Sequence, residues 1–256
     1  MPRGWWVSGA TAFVAVLAIA VATSGDSPAS VAAITGPAAT PTPAASANVP
    51  AGNVAPVERA RKAVAFVTAD FKREAAAAYA KGDYPTALTQ LEAAVAASPH
   101  DPDARNNLGQ LFVRQGRAAD ALAHFDEAVR LDGQRWASRF NRARAYGLLN
   151  RWTDAIADYR AAATLFPDDH ATLYNLGLAL LRVRDYPGAV IALEEAVAVA
   201  PEEHDFLIAL GTAYVGASLP DRARATFERF LEVAPDDSEA PRVKALLEAL
   251  AAETSQ

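Results

Sequence analysis

The segment Asp168–Glu203, DDHATLYNLGLALLRVRDYPGAVIALEEAVAVAPEE, decides the reading of this chain. Counted from His170, it places Leu173, Leu176–Gly177, Leu180, Ala189, Leu193, Ala196 and Pro201 at set intervals. After 34 residues the pattern returns as Leu207, Leu210–Gly211, Tyr214, Ala223, Phe227 and Pro235. Large and small residues recurring in phase at that period mark a chain built by repeating one helix-turn-helix unit.

The same register extends toward the N-terminus. Repeat one covers 68–101, with Tyr84, Ala87, Leu91, Ala94 and Pro99. An apolar stripe of Val57, Ala60, Val64, Val67, Phe71, Ala75 and Ala78 precedes Gly82 without a breaker, so its first helix is expected to start near Val57. Repeat two, 102–135, carries Leu108–Gly109, Phe112, Gly116, Ala121, Phe125 and Ala128 but ends on Gly133 in place of proline. Repeat three, 136–169, has Ala143, Tyr146, Trp152, Ala155, Tyr159, Ala162 and Pro167. Repeats four and five are 170–203 and 204–237, and in the fifth Phe230 stands where a small residue is expected, which should loosen the next junction. Residues 238–256 supply a capping helix with Val243, Leu246, Leu247 and Leu250 on one face. After residue 56 no proline falls inside a predicted helix, where it would cost about 3 kcal/mol or more.

These positions resemble the tetratricopeptide repeat, and the likeness covers roughly 68–237. It implies an all-α, right-handed superhelical solenoid of five repeats in a domain spanning 57–237. It also implies that first helices line a concave face, second helices lie outside, and ligands occupy the inner groove.

Composition narrows the function. Hydrophobic residues make up 52%, and the alanine-rich content favours packed helices over sheet. A formal charge of −6 argues against nucleic acid as the main partner. The absence of cysteine excludes a thiol nucleophile, a cysteine-ligated metal and a disulfide framework. No phosphate-loop, HExxH or GxSxG motif occurs, so no enzyme activity, small-molecule substrate or cofactor is expected. His170 and His204 open consecutive repeats, a spacing that reads as solvent-facing turn residues and gives no metal site.

Residues 4–25 carry no charge, with Arg3 before them and Asp26 after. At 1.5 Å per residue they would make a helix of about 33 Å, long enough to cross a bilayer, flanked by Trp5 and Trp6. Ala20-Val21-Ala22 equally fits a signal-peptide cleavage pattern. The expectations are therefore a membrane-anchored protein facing the periplasm or another extracytoplasmic space, or a soluble exported one cleaved near Ala22. Residues 26–56 hold six prolines, ten alanines and one charge, and read as a disordered tether.

The binding expectation rests on the first helices. Their sixth residue in repeats two to four is Asn107, Asn141 and Asn175, amides able to donate to and accept from an extended peptide backbone. A similar asparagine ladder lines the repeats of the O-linked N-acetylglucosamine transferases. Phe140, Tyr174 and Ile208 form an apolar row beside it. Between Gly133 and Thr153 lie five arginines and no acid, including Arg144, and Arg114 and Arg182 match in the flanking repeats. Together these favour a protein or peptide partner bearing acidic side chains or a C-terminal carboxylate. The carboxylate clamp of chaperone-binding relatives is not reproduced: Lys72 and Asn107 fit it, but Ala76, Ala137 and Asn141 do not. The alternative is a structural module that self-associates through its ends or convex face.

Overall fold

In the computed structural model of this chain, residues 54–253 are described, and among them every regular element is an α-helix. The expected anchor or signal segment and most of the tether lie outside these residues. No helix among those described is long and apolar enough to cross a membrane. Lys62–Gln256 forms one compact unit; of the other, Met1–Arg61, only the helical residues from Val54 onward are described.

The helices are α1 (Val54–Ala80), α2 (Tyr84–Ala97), α3 (Pro102–Arg114), α4 (Ala118–Leu131), α5 (Trp136–Leu148), α6 (Trp152–Leu165), α7 (His170–Arg182), α8 (Tyr186–Val199), α9 (Asp205–Gly216), α10 (Pro220–Val233) and α11 (Ala240–Glu253). They pair in sequence as a helical solenoid. α1 has 27 residues, whereas the first helices of later repeats have 12 or 13. It begins at Val54, so residues 54–56 of the expected tether are helical; Pro56 falls in the first turn, where its missing N–H is not needed.

Helix starts are written into the sequence. Asp83, Asp101, Asp169 and Asp185 each accept from backbone N–H groups of the helix that follows, at 2.8–3.2 Å. Pro85, Pro102, Pro187 and Pro220 occupy first or second helical positions. The turn within each repeat needs one left-handed residue, and these recur every 34 positions as Gly82, Gly116, Asn150, Arg184 and Ser218. Glycine and asparagine adopt that conformation readily; arginine and serine are held there by the helices they join.

Packing follows the small residues. Ala87, Ala121, Ala155, Ala189 and Ala223, one per repeat, are all 0% exposed. Close approach within a repeat is marked by Gly177 and Gly211, where an added Cβ would lie 2.4 Å from Leu193 and Phe227 respectively. At these crossings the first helix contributes no side chain, and Leu193 or Phe227 of the second helix packs directly on its backbone.

The last junction differs from expectation. Phe230 is fully buried and shares a core with Ala240, Val243 and Leu250 of α11. One junction earlier the sizes are reversed: Phe206 opens the following helix and packs with Ala196 and Ala200. A large residue faces small ones in both cases, so the volume is conserved and the bulk of Phe230 seals the cap.

Candidate functional site

First helices of neighbouring repeats also touch one another directly, α3 with α5 and α7 with α9. That shorter spacing marks the inner side of a curved array, and it is there that the candidate residues lie.

The asparagines meet three different fates. Asn107 is half-buried, with no side-chain hydrogen bond to the described residues. Asn175 donates to its own helix, at Ala171 O, 2.7 Å away. Asn141 is 2% exposed and donates to Asn106 Oδ1 at 3.0 Å, so it ties α5 to α3 and is not offered to a ligand.

The apolar row is likewise partly internal. Phe140 is 5% exposed, between Trp136 at 6.2 Å and Tyr159 at 5.8 Å. Tyr174 stacks on Phe206 at 4.5 Å, and burial pushes its phenol up to about 12. Asn141 and Phe140 thus turn into the array, a correction to the expectation that they line the groove. Leu178, Ile208 and Val215 on α7 and α9 keep partial or full exposure and extend an apolar surface beside Tyr174.

The basic run is mostly neutralised. Arg135 pairs with Asp103 and Asp132, and Arg139 with Asp158. Arg142 donates to Asp158 at 2.6 and 2.8 Å and to Asp126 at 2.8 Å, which holds its guanidinium well above the ordinary arginine value. Arg151 pairs with Asp154 at 2.8 Å. Arg144 is the exception: it is exposed, has no carboxylate within ion-pair distance among the described residues, and lies 5.9 Å over the Phe140 ring. Arg114 is exposed and donates to Tyr84 Oη at 3.2 Å. Arg182 is exposed with its guanidinium 5.6 Å over Trp152. Lys72, the residue that fits the chaperone clamp, is engaged by Asp101 at 2.8 Å.

Two histidines need an account. His124 stacks on Phe112 at 5.2 Å, and burial, followed by the nearby Arg105, lowers its affinity for a proton. His204 Nε2 lies 3.3 Å from Asp237 and 3.9 Å from Asp205, a grouping of donors that suits a cation in type. It stands at the positive end of the α9 dipole, which opposes a cation, and Asp237 already accepts from Glu239 N–H at 2.7 Å. The grouping serves the junction with α11.

Paired helices with a constant period, exposed inner-face side chains and no catalytic constellation among the described residues define a helical repeat scaffold. Tetratricopeptide repeat models match residues 72–135, 140–204 and 180–250, and the chain belongs to the tetratricopeptide repeat family. Its members are generally non-enzymatic scaffolds for protein–protein interaction. No curated protein matches the chain. Among solved structures, MamA from Desulfovibrio magneticus aligns with TM-score 0.62 at 19% identity, over 67% of this chain and 97% of that one. A tetratricopeptide repeat protein from Parabacteroides merdae gives 0.64 at 20% identity, over 74% and 75%. YrrB gives 0.61 at 16%, over 68% and 90%. At such identities the likeness is one of fold.

Proposed function

We propose that this protein is an exported, membrane-tethered scaffold whose inner face, from Arg114 to Val215, holds an extended segment of a partner protein carrying carboxylates. The observation that carries the proposal is Arg144. In a helix whose other arginines are consumed by ion pairs, it is exposed and has no carboxylate within ion-pair distance among the described residues. Arg114 and Arg182 flank it on α3 and α7, and Tyr174, Leu178 and Ile208 offer apolar contact beside it. Asn107 supplies a free amide for the partner's backbone. YrrB, of the same fold, is a protein with an unusual peptide-binding site, which supports a groove role for this class of surface.

The test uses a labelled peptide of alternating Glu and Leu, with a Lys–Leu peptide as control, followed by fluorescence anisotropy. The chain's overall charge is −6, so binding of the acidic peptide must come from a local patch. The variant R114A/R144A/R182A is expected to weaken it by roughly threefold to a hundredfold, since each exposed ion pair is worth about 0.2–1 kcal/mol. The effect should shrink as salt is raised. Equal affinity for the two peptides, or an unaffected triple variant, would move the partner site off the inner face.

Export and tethering rest on the uncharged stretch 4–25 and the proline-rich segment after it. A C-terminal reporter active only outside the cytoplasm should be active, and the full chain should sediment with membranes. A reporter active only in the cytoplasm rejects export; a soluble product beginning near Thr23 rejects the tether.

A further inference from the structure

We infer that the array is jointed between repeats two and three, so that α1–α4 and α5–α11 form two cooperative blocks coupled through a polar seam. The inference is independent of what the inner face binds.

The apolar core divides at this place. One cluster runs from Ala75 to Phe125, and α5 adds only Ala145 to its buried residues; the next begins at Phe140 and runs to Leu250. What lies between is polar. Asn106 and Asn141, both buried, share one hydrogen bond of 3.0 Å. Arg135 crosses to Asp103, and Arg142 spans from Asp158 in α6 to Asp126 in α4. The Ser138 hydroxyl, 0% exposed, has no hydrogen-bond partner among the described residues.

The repeat register shows that these are departures from an apolar pattern. Asn106 stands where the next three repeats have Phe140, Tyr174 and Ile208. Arg142 stands where repeats two, four and five have the buried Leu108, Leu176 and Leu210. Asp158 faces it where repeat four has the buried Ala192. Later junctions keep aromatic and apolar centres, Tyr174 stacked on Phe206 and Phe230 against α11, with polar contacts such as Tyr214 to Glu194 and Arg160 to Asp185 that are part-buried or exposed.

The physical difference is in what opening costs. Separating an apolar junction exposes area that water does not welcome, whereas amides and ions at a polar junction exchange their partners for water. In a solenoid, cooperativity is carried by nearest-neighbour junctions, so the weakest one sets the boundary between blocks. This boundary also lies between Arg114 and Arg144, and opening it changes the spacing of the inner-face cations.

The test is hydrogen exchange of the full chain across a urea series, followed in peptides from α2–α4 and from α7–α10. Phe227→Ala serves as the perturbation, because Phe227 is buried deep in the C-terminal block. It is expected to lower the urea midpoint of the α7–α10 peptides and leave that of the α2–α4 peptides where it was. Restoring the apolar pattern with R142L/D158A should couple the blocks, and F227A in that background should then lower both midpoints together. If F227A alone drags the α2–α4 peptides down equally, the array is one cooperative body and the joint does not exist. That comparison needs only the single variant, so the inference stands or falls even if R142L/D158A does not fold.

Discussion

Replacing Asp158 with alanine is expected to destabilise the protein by about 3–5 kcal/mol, the loss typical of breaking one partner out of a buried ion pair. Asp158 is 5% exposed and accepts two hydrogen bonds from Arg142, with Arg139 a further 3.6 Å away. Without it, the Arg142 guanidinium cannot shed its proton and keeps only Asp126, at the edge of the array. The penalty is mostly that uncompensated charge and only secondarily the lost attraction. For a fold of this size the melting temperature should fall by roughly 6–20 °C, measured by circular dichroism. Removing both partners behaves differently: R142L/D158A reproduces the pairing of repeat four, Leu176 and Ala192, and should be neutral or stabilising. A D158A protein that melts with the parent would show that Arg142 is solvated by another route.

This ion pair also shows where sequence reading ended. The helices were legible because a helix writes its buried face into local spacing, and a period of 34 repeated that signal until chance was excluded. Small residues at the crossing positions were legible for the same reason, since Ala155, Ala189 and Ala223 recur at one register. Counting charges along the chain was a poor guide to electrostatics. The stretch from Gly133 to Thr153 contains five arginines and no acid, yet Asp132 and Asp154 just outside it, and Asp103, Asp126 and Asp158 from other helices, reach four of them. A partner 16 or 32 positions away is adjacent only after folding.

The asparagine ladder meets the same limit at Asn141. A register position fixes which helix a side chain belongs to and roughly which way it points, but not what sits opposite. Asn141 differs from Asn107 because Asn106 on the preceding helix meets its amide. The bulk of Phe230 does not by itself decide the junction, because Ala240 lies across it and makes room for the ring. Gly82, Gly116 and Asn150 fall at a single register and mark the left-handed turn that Arg184 and Ser218 occupy in the later repeats.

Replacing Phe227 with alanine is expected to cost about 3–5 kcal/mol, because the ring is wholly enclosed and its removal leaves a cavity in the core. The ring lies on the face of α9 where Gly211 has no side chain, and a Cβ there would stand 2.4 Å from a ring carbon. Glycine and phenylalanine are therefore one packing unit, which makes a sharper test than either substitution alone. Gly211→Ala in the parent must displace the ring and should cost roughly 1–3 kcal/mol by overpacking. In the F227A background the ring is gone, so the new methyl enters the vacated space and the clash term vanishes. Alanine also has the higher helix propensity by about 0.8–1.0 kcal/mol, so G211A should be neutral or stabilising there. The double variant is expected to be no less stable than F227A, with urea unfolding giving a coupling of opposite sign to the two single losses. Strict additivity of the two losses would show that the ring rests elsewhere and that the close approach of α9 and α10 has another cause.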